Sequence, residues 1–136
     1  MAEKLKKILI IDDERSIRAT LKEILEFEKY IVETAQDGIE GYKMAGKKNY
    51  DLIFCDIKMP KIDGIETLKN IVKNNISSPV VMISGHGDIE TAVQTLKIGA
   101  FDYIEKPLDL NRVLKCVKNA LNNNHLKKEN TILKNK

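Results

Sequence analysis

The sequence predicts an α/β fold: a doubly wound parallel sheet of five strands alternating with five helices. Three observations carry that prediction. Short apolar runs without polar alternation recur along the chain, as strands covered on both faces require. Stretches with apolar residues at helical spacing lie between them. Runs such as Ile8 to Ile11 and Leu52 to Cys55 stop abruptly on Asp12 and Asp56, with turn residues behind, so polar groups collect at one sheet edge. Strands that alternate with helices in this way form a parallel sheet with right-handed crossovers.

The first strand is Lys7 to Ile11, stopped by Asp12-Asp13-Glu14, where Asp13 or Glu14 is placed to cap the next helix. That helix carries Ile17, Leu21, Ile24 and Leu25 as an inward stripe. Ile31 to Ala35 is the second strand, and Asp37-Gly38 opens a helix expected to turn Ile39, Tyr42 and Ala45 inward. The third strand, Leu52 to Cys55, ends on Asp56, and Pro60 with Asp63-Gly64 turns the chain into a helix with Ile65, Leu68, Ile71 and Val72 at core spacing. Pro79 to Ile83 is the fourth strand and closes on Ser84-Gly85-His86-Gly87. Asp88 is placed to cap a helix with Ala92, Val93 and Leu96 inward and Gly99 at its stop. Phe101 to Ile104 is the fifth strand, followed by Glu105-Lys106-Pro107 and, from Asp109, a last helix with Leu110, Val113, Leu114, Val117 and Leu121 on one face.

A chain of 136 residues suits one domain with a real core, and 43% hydrophobic with 32% charged residues is ordinary for a soluble globular protein. The net charge of +3 sits largely in terminal lysines without interleaved aromatics, a weak footprint that argues against direct nucleic-acid binding. The two cysteines, Cys55 and Cys116, have neither metal nor disulfide spacing and suit a reducing, cytoplasmic setting. The four apolar residues from Ile8 to Ile11 are too short for a signal peptide or a membrane span.

The strand ends carry the chemistry. Asp12 and Asp13 follow the first strand, Asp56 the third, Ser84 the fourth and Lys106 the fifth. If the first strand neighbours the third, three carboxylates meet, and like charges so close stay ionised only with a cation among them. Mg2+ fits, since it takes oxygen ligands and is typically held by one or two carboxylates with a phosphate. Lys106 adds a flexible positive charge and Ser84 a hydroxyl, both suited to a phosphoryl group. Asp56 is then the acceptor, forming a labile aspartyl phosphate. Taken singly, each residue has a plainer reading: a helix cap for Asp12 or Asp13, a turn for Ser84, a solvated lysine for Lys106. Their joint placement at strand ends reverses those odds. His86 and His125 read as surface residues without metal-ligand spacing.

These residues resemble a response-regulator receiver domain of the chemotaxis-protein type. Asp12-Asp13, Asp56 with Met59-Pro60 and Asp63-Gly64, Ser84-Gly85 and Lys106-Pro107 match the family motif one by one, over about residues 5–122. The resemblance implies a flavodoxin-like fold with strand order 2-1-3-4-5, an order known for this family. It implies that a sensor histidine kinase phosphorylates Asp56 in a two-component phosphorelay, and that Asp13, Asp56 and the backbone carbonyl of Lys58 ligate Mg2+ while Asp12 acts through bound water. Ser84 and Lys106 would contact the phosphoryl oxygens, and the Lys106-Pro107 bond would be cis. Such a domain is no classical enzyme, although it assists its own phosphoryl transfer and dephosphorylation. Lys58 and His86 occupy positions that tune dephosphorylation in the family. Tyr103 occupies the position of the family's switch aromatic, coupled to Ser84, so that phosphorylation would repack the surface of the fourth helix, fifth strand and last helix.

Met82 to Val93 and Gly99 to Leu108 look most like the receivers of NtrC-type transcriptional regulators, which carry an ATPase and a DNA-binding domain downstream. Residues 123–136, rich in Asn and Lys yet holding Leu126, Ile132 and Leu133, read as a C-terminal helical extension or a linker. Homodimerisation is expected through the switch surface or that last helix. Three rivals fit less well. A haloacid-dehalogenase-type phosphatase needs Asp-x-Asp where this chain has adjacent Asp12-Asp13, and a flavodoxin-type binder needs a phosphate loop where this chain has three acids. A degenerate receiver would not retain both Asp56 and Lys106.

Overall fold

The computed structural model describes residues 5–85 and 89–134, with side chains as far as Asn122. The five strands are β1 (Lys7–Ile11), β2 (Ile31–Ala35), β3 (Leu52–Asp56), β4 (Val80–Ser84) and β5 (Asp102–Glu105). The helices that alternate with them are α1 (Arg15–Phe27), α2 (Gly38–Lys47), α3 (Gly64–Lys73), α4 (Ile89–Ile98) and α5 (Leu110–Lys134). All strand pairs are parallel, in the order β2-β1-β3-β4-β5, so the flavodoxin-like topology expected from the resemblance is present. The backbone of α5 runs unbroken through the position where the extension was expected to begin. No helix among the described residues is long and apolar enough to cross a membrane.

Alternate strand residues point to opposite faces, and the two faces have separate cores. Ile8, Ile10, Leu52, Phe54, Val81 and Ile83 pack with Leu21 and Leu25 of α1 and Val113 and Val117 of α5. Leu9, Ile11, Ile53, Cys55, Val80 and Met82 pack with residues of α2, α3 and α4, among them Ala45, Leu68, Ile71 and Ala92. β3 is buried along its whole length. It lies between β1 and β4, and its final residue, Asp56, therefore emerges in the middle of the sheet's carboxyl edge.

Four helices leave outside some residues that were expected inward. Ile39 is exposed, whereas Ala45 is buried as expected, together with Gly38 and Gly41, and Tyr42 packs against the core. The glycines let the helix lie close to the sheet: a Cβ on Gly41 would stand 2.4 Å from the Ile11 side chain. In α4, Val93 and Leu96 are exposed while Ala92 and Thr95 face the core, the Thr95 hydroxyl being satisfied by donating to the Ala92 carbonyl at 2.5 Å. Val72 of α3 and Leu110 of α5 are exposed too. In α2 and α4 small or self-satisfied residues supply the contact, whereas α3 and α5 still bury large side chains, Leu68 and Ile71 in the first and Val113 and Val117 in the second.

Caps follow local chemistry. Asp37 accepts from Glu40 N–H at 2.8 Å, Asp63 from Glu66 N–H at 2.9 Å and Asp109 from Arg112 N–H at 2.9 Å. Glu14 is the N-cap residue of α1 but makes no side-chain cap bond. The expected cap at Asp88 and the position of His86 fall outside the described residues, as do the side chains of His125, Leu126, Ile132 and Leu133.

Candidate phosphoacceptor and metal site

Asp12 directly follows β1, Asp13 begins the turn into α1, and Asp56 ends β3; β1 and β3 are neighbours in register, Ile11 opposite Cys55. Adjacent parallel strands that end together deliver their terminal side chains to one spot. The three carboxylates offer oxygen atoms that all lie within 4.8 Å of one another. Asp12 and Asp56 are buried and Asp13 is exposed, so the cluster opens to solvent on one side.

Lys106 reaches the same place from the loop after β5. Its Nζ is 3.6 Å from Asp56 Oδ1, 3.8 Å from Asp12 Oδ2 and 2.6 Å from Glu14 Oε1. Its amide donates to the Ser84 carbonyl at 2.8 Å, which anchors the lysine backbone to the end of β4, and the Lys106-Pro107 peptide is cis. Ser84 is buried and stands one residue beyond Ile83, the register partner of Asp56. Its hydroxyl donates to the Ile104 carbonyl of β5 at 3.4 Å, a long bond and an easily exchanged one. Tyr103, in β5, is half-buried against the core that contains Met82 and Ala92.

The electrostatics follow from crowding. Burial, then the neighbouring charge of Asp12, pushes the Asp56 carboxyl up to about 7, with Lys106 opposing. Asp12 is likewise raised by burial, against a hydrogen bond from Glu14 N–H at 2.8 Å. Burial works against the charge on Lys106, yet its bond to Glu14 and the charges of Asp12 and Asp56 hold it above the ordinary lysine value. Asp12 Oδ2 is buried without a hydrogen-bond partner among the described residues. A buried carboxylate oxygen left so is costly, and a hard cation among three carboxylates would satisfy it. The donor set therefore fits a divalent metal of the Mg2+ type.

Sequence reasoning named Asp12, Asp13, Asp56, Ser84, Lys58, Tyr103 and Lys106, and the structure brings the three acids and Lys106 together. Lys58 lies exposed just beyond β3 and, with Asp13 and Met59, lines an open groove of about 510 Å³ beside the acids. Two contributors were missed. Glu14, read only as a cap, binds Lys106. Gly64, read as a helix start, lies so close to β3 that a Cβ would stand 2.0 Å from the Asp56 carbonyl oxygen. The run of three acids hinted at the first, whereas a close backbone approach leaves no mark beyond the glycine itself.

A family model described as "Response regulator receiver domain" matches residues 8–118. Among curated proteins, the nitrogen assimilation regulatory protein NtrX of Azorhizobium caulinodans is 42% identical over 124 residues, covering 90% of this chain and 27% of that protein. The transcriptional regulatory protein ZraR of Klebsiella oxytoca is 40% identical over 114 residues, covering 84% of this chain and 26% of its own. The chain thus spans about a quarter of the length of these relatives. Among solved structures, NtrX from Brucella abortus superposes with a TM-score of 0.90 at 38% identity, over 96% of this chain and 30% of that one. A receiver domain protein from Clostridium thermocellum superposes with a TM-score of 0.85 at 35% identity, over 90% of this chain and 98% of that one.

Proposed function

This chain belongs to the response regulator receiver domain family of two-component signalling, and from that premise we propose that it takes a phosphoryl group from a sensor histidine kinase onto Asp56. The observation that supports this most is Lys106 Nζ standing 3.6 Å from Asp56 Oδ1 at the edge of the three-acid cluster. In the transfer, an Asp56 oxygen forms a bond to phosphorus as the bond from phosphorus to the kinase's histidine nitrogen breaks. Lys106 neutralises a phosphoryl oxygen, and Ser84 turns its hydroxyl from the Ile104 carbonyl to donate to another. Mg2+ held by Asp13, Asp56 and the Lys58 carbonyl, with Asp12 acting through water, would supply the positive charge that keeps these acids ionised.

The Ser84 movement carries the signal in this reading. Ser84 and Tyr103 lie on paired strands, since Met82 is opposite Tyr103 and Ser84 opposite Glu105. A hydroxyl drawn toward Asp56 leaves room for the Tyr103 ring, and the surface of α4, β5 and α5 repacks. Exposed Val93, Leu96 and Leu110 make that surface a candidate for pairing with a second copy. Residues 5–122 form the phosphoacceptor unit and 123–136 its extension or linker, with transcription control as the output and a cytoplasmic setting that suits the free thiols of Cys55 and Cys116. The domain assists both its own phosphorylation and the later hydrolysis.

Phosphorylation by a small-molecule acyl phosphate tests the metal part of the proposal. Chelating Mg2+ with EDTA is expected to slow labelling on the order of 100-fold. An equal rate with and without the metal would contradict it.

A further inference from the structure

Glu14 sits at the N-cap of α1 with extended backbone, φ −87° and ψ 116°, yet its carboxylate makes no bond to the helix it begins. Glutamate is not among the residues that cap well. The side chain turns instead across the site, and its Oε1 accepts from Lys106 Nζ at 2.6 Å, a contact between residues 92 positions apart. Asp56 at 3.6 Å and Asp12 at 3.8 Å are both farther from the same ammonium. The Lys106 side chain is 19% exposed and that of Glu14 52%, which places the pair at the mouth of the pocket, above the buried acids.

We infer that Glu14 is a positioning residue that holds Lys106 at the pocket mouth and competes with a phosphoryl group on Asp56 for its ammonium. The inference rests on the reading of Asp56 as phosphoacceptor. A tetrahedral anion on Asp56 draws the Lys106 ammonium inward, away from its short bond to Glu14. The anion also meets the Glu14 charge across that shared ammonium, and like charges so near oppose binding. Glutamine keeps the length of the side chain and an oxygen that can accept from Lys106, and it removes the charge. Because the glutamate side chain makes no cap hydrogen bond, the substitution breaks no bond at the start of α1.

The test is titration of the full chain with beryllofluoride and Mg2+, a stable stand-in for the phosphoryl group, comparing wild type with Glu14→Gln. The variant should bind about threefold more tightly at low salt, the size expected of a half-exposed ion pair. The advantage should shrink at about 1 M salt, where such pairs are screened. In nitrogen-15 spectra the Lys106 ammonium resonance should differ between the two free proteins and coincide in the two complexes, a signature that a purely structural role for Glu14 would not produce. Binding by wild type with equal or weaker binding by the variant overturns the competition. Failure of wild type to bind beryllofluoride overturns the phosphoacceptor reading and the inference with it.

Discussion

Asp56→Asn is expected to stabilise the fold by on the order of 3 kcal/mol above about pH 8 in EDTA, although it alters a buried polar side chain. The Asp56 carboxyl is carried from 3.8 to about 7 in the folded protein, first by burial and then by the charge of Asp12. Between those values the folded chain holds a proton that the unfolded chain has released. Stability from this group is therefore fully present below the unfolded value and lost as pH rises toward about 7, after which it is flat. Asparagine has the same shape and no charge, so the variant should lose this part of the pH dependence. Adding Mg2+ should narrow the gap, because a cation that binds the folded state favours the ionised acids of wild type. Urea unfolding of both proteins across this pH range measures the effect. Parallel curves, or a less stable variant, would show that the crowding of Asp12 and Asp56 does not strain the fold.

Gly64→Ala should have the opposite sign, costing about 3 kcal/mol or more, at the upper end of overpacking effects. The new Cβ would lie 2.0 Å from the Asp56 carbonyl oxygen, 2.7 Å from the Ile57 Cα and 2.8 Å from the Asp56 carbonyl carbon. All three are backbone atoms, and no side-chain rotation relieves them. The start of α3 would have to withdraw from β3, weakening the bond from Gly64 N–H to the Ile57 carbonyl, now 2.7 Å. Since the displaced carbonyl belongs to the proposed phosphoacceptor, Mg2+ affinity should fall along with stability. Denaturation midpoints and a metal titration check both parts, and a loss below about 1 kcal/mol would mean that the loop yields more easily than its packing implies.

The contrast between these residues shows what a sequence makes legible. Asp56 was readable because a wholly buried strand followed by an acid is a pattern along the chain, and so were strand order and the gathering of Asp12, Asp13 and Lys106 once the family motif was matched. Helix faces were readable where one stripe of large apolar residues dominated, as with Leu21 and Leu25 of α1. They were only partly legible in α2 and α4, where Ala45 and Ala92 face the core as expected but Gly41 and Thr95 share the contact and Ile39, Val93 and Leu96 lie outside it. Helix-to-sheet distance decides which residues touch, and local periodicity does not encode that distance. The same holds for Glu14, whose bond to Lys106 spans 92 residues and depends on how two loops meet.

The central claim is that the pocket at the ends of β1, β3 and β5 accepts a phosphoryl group on one side chain. Intact mass and peptide mapping after incubation with an acyl phosphate and Mg2+ address it most directly. A single acid-stable, base-labile phosphoryl adduct on Asp56, absent from Asp56→Asn, is the predicted result. No adduct on wild type, or one that persists in the variant at the same level, would contradict it.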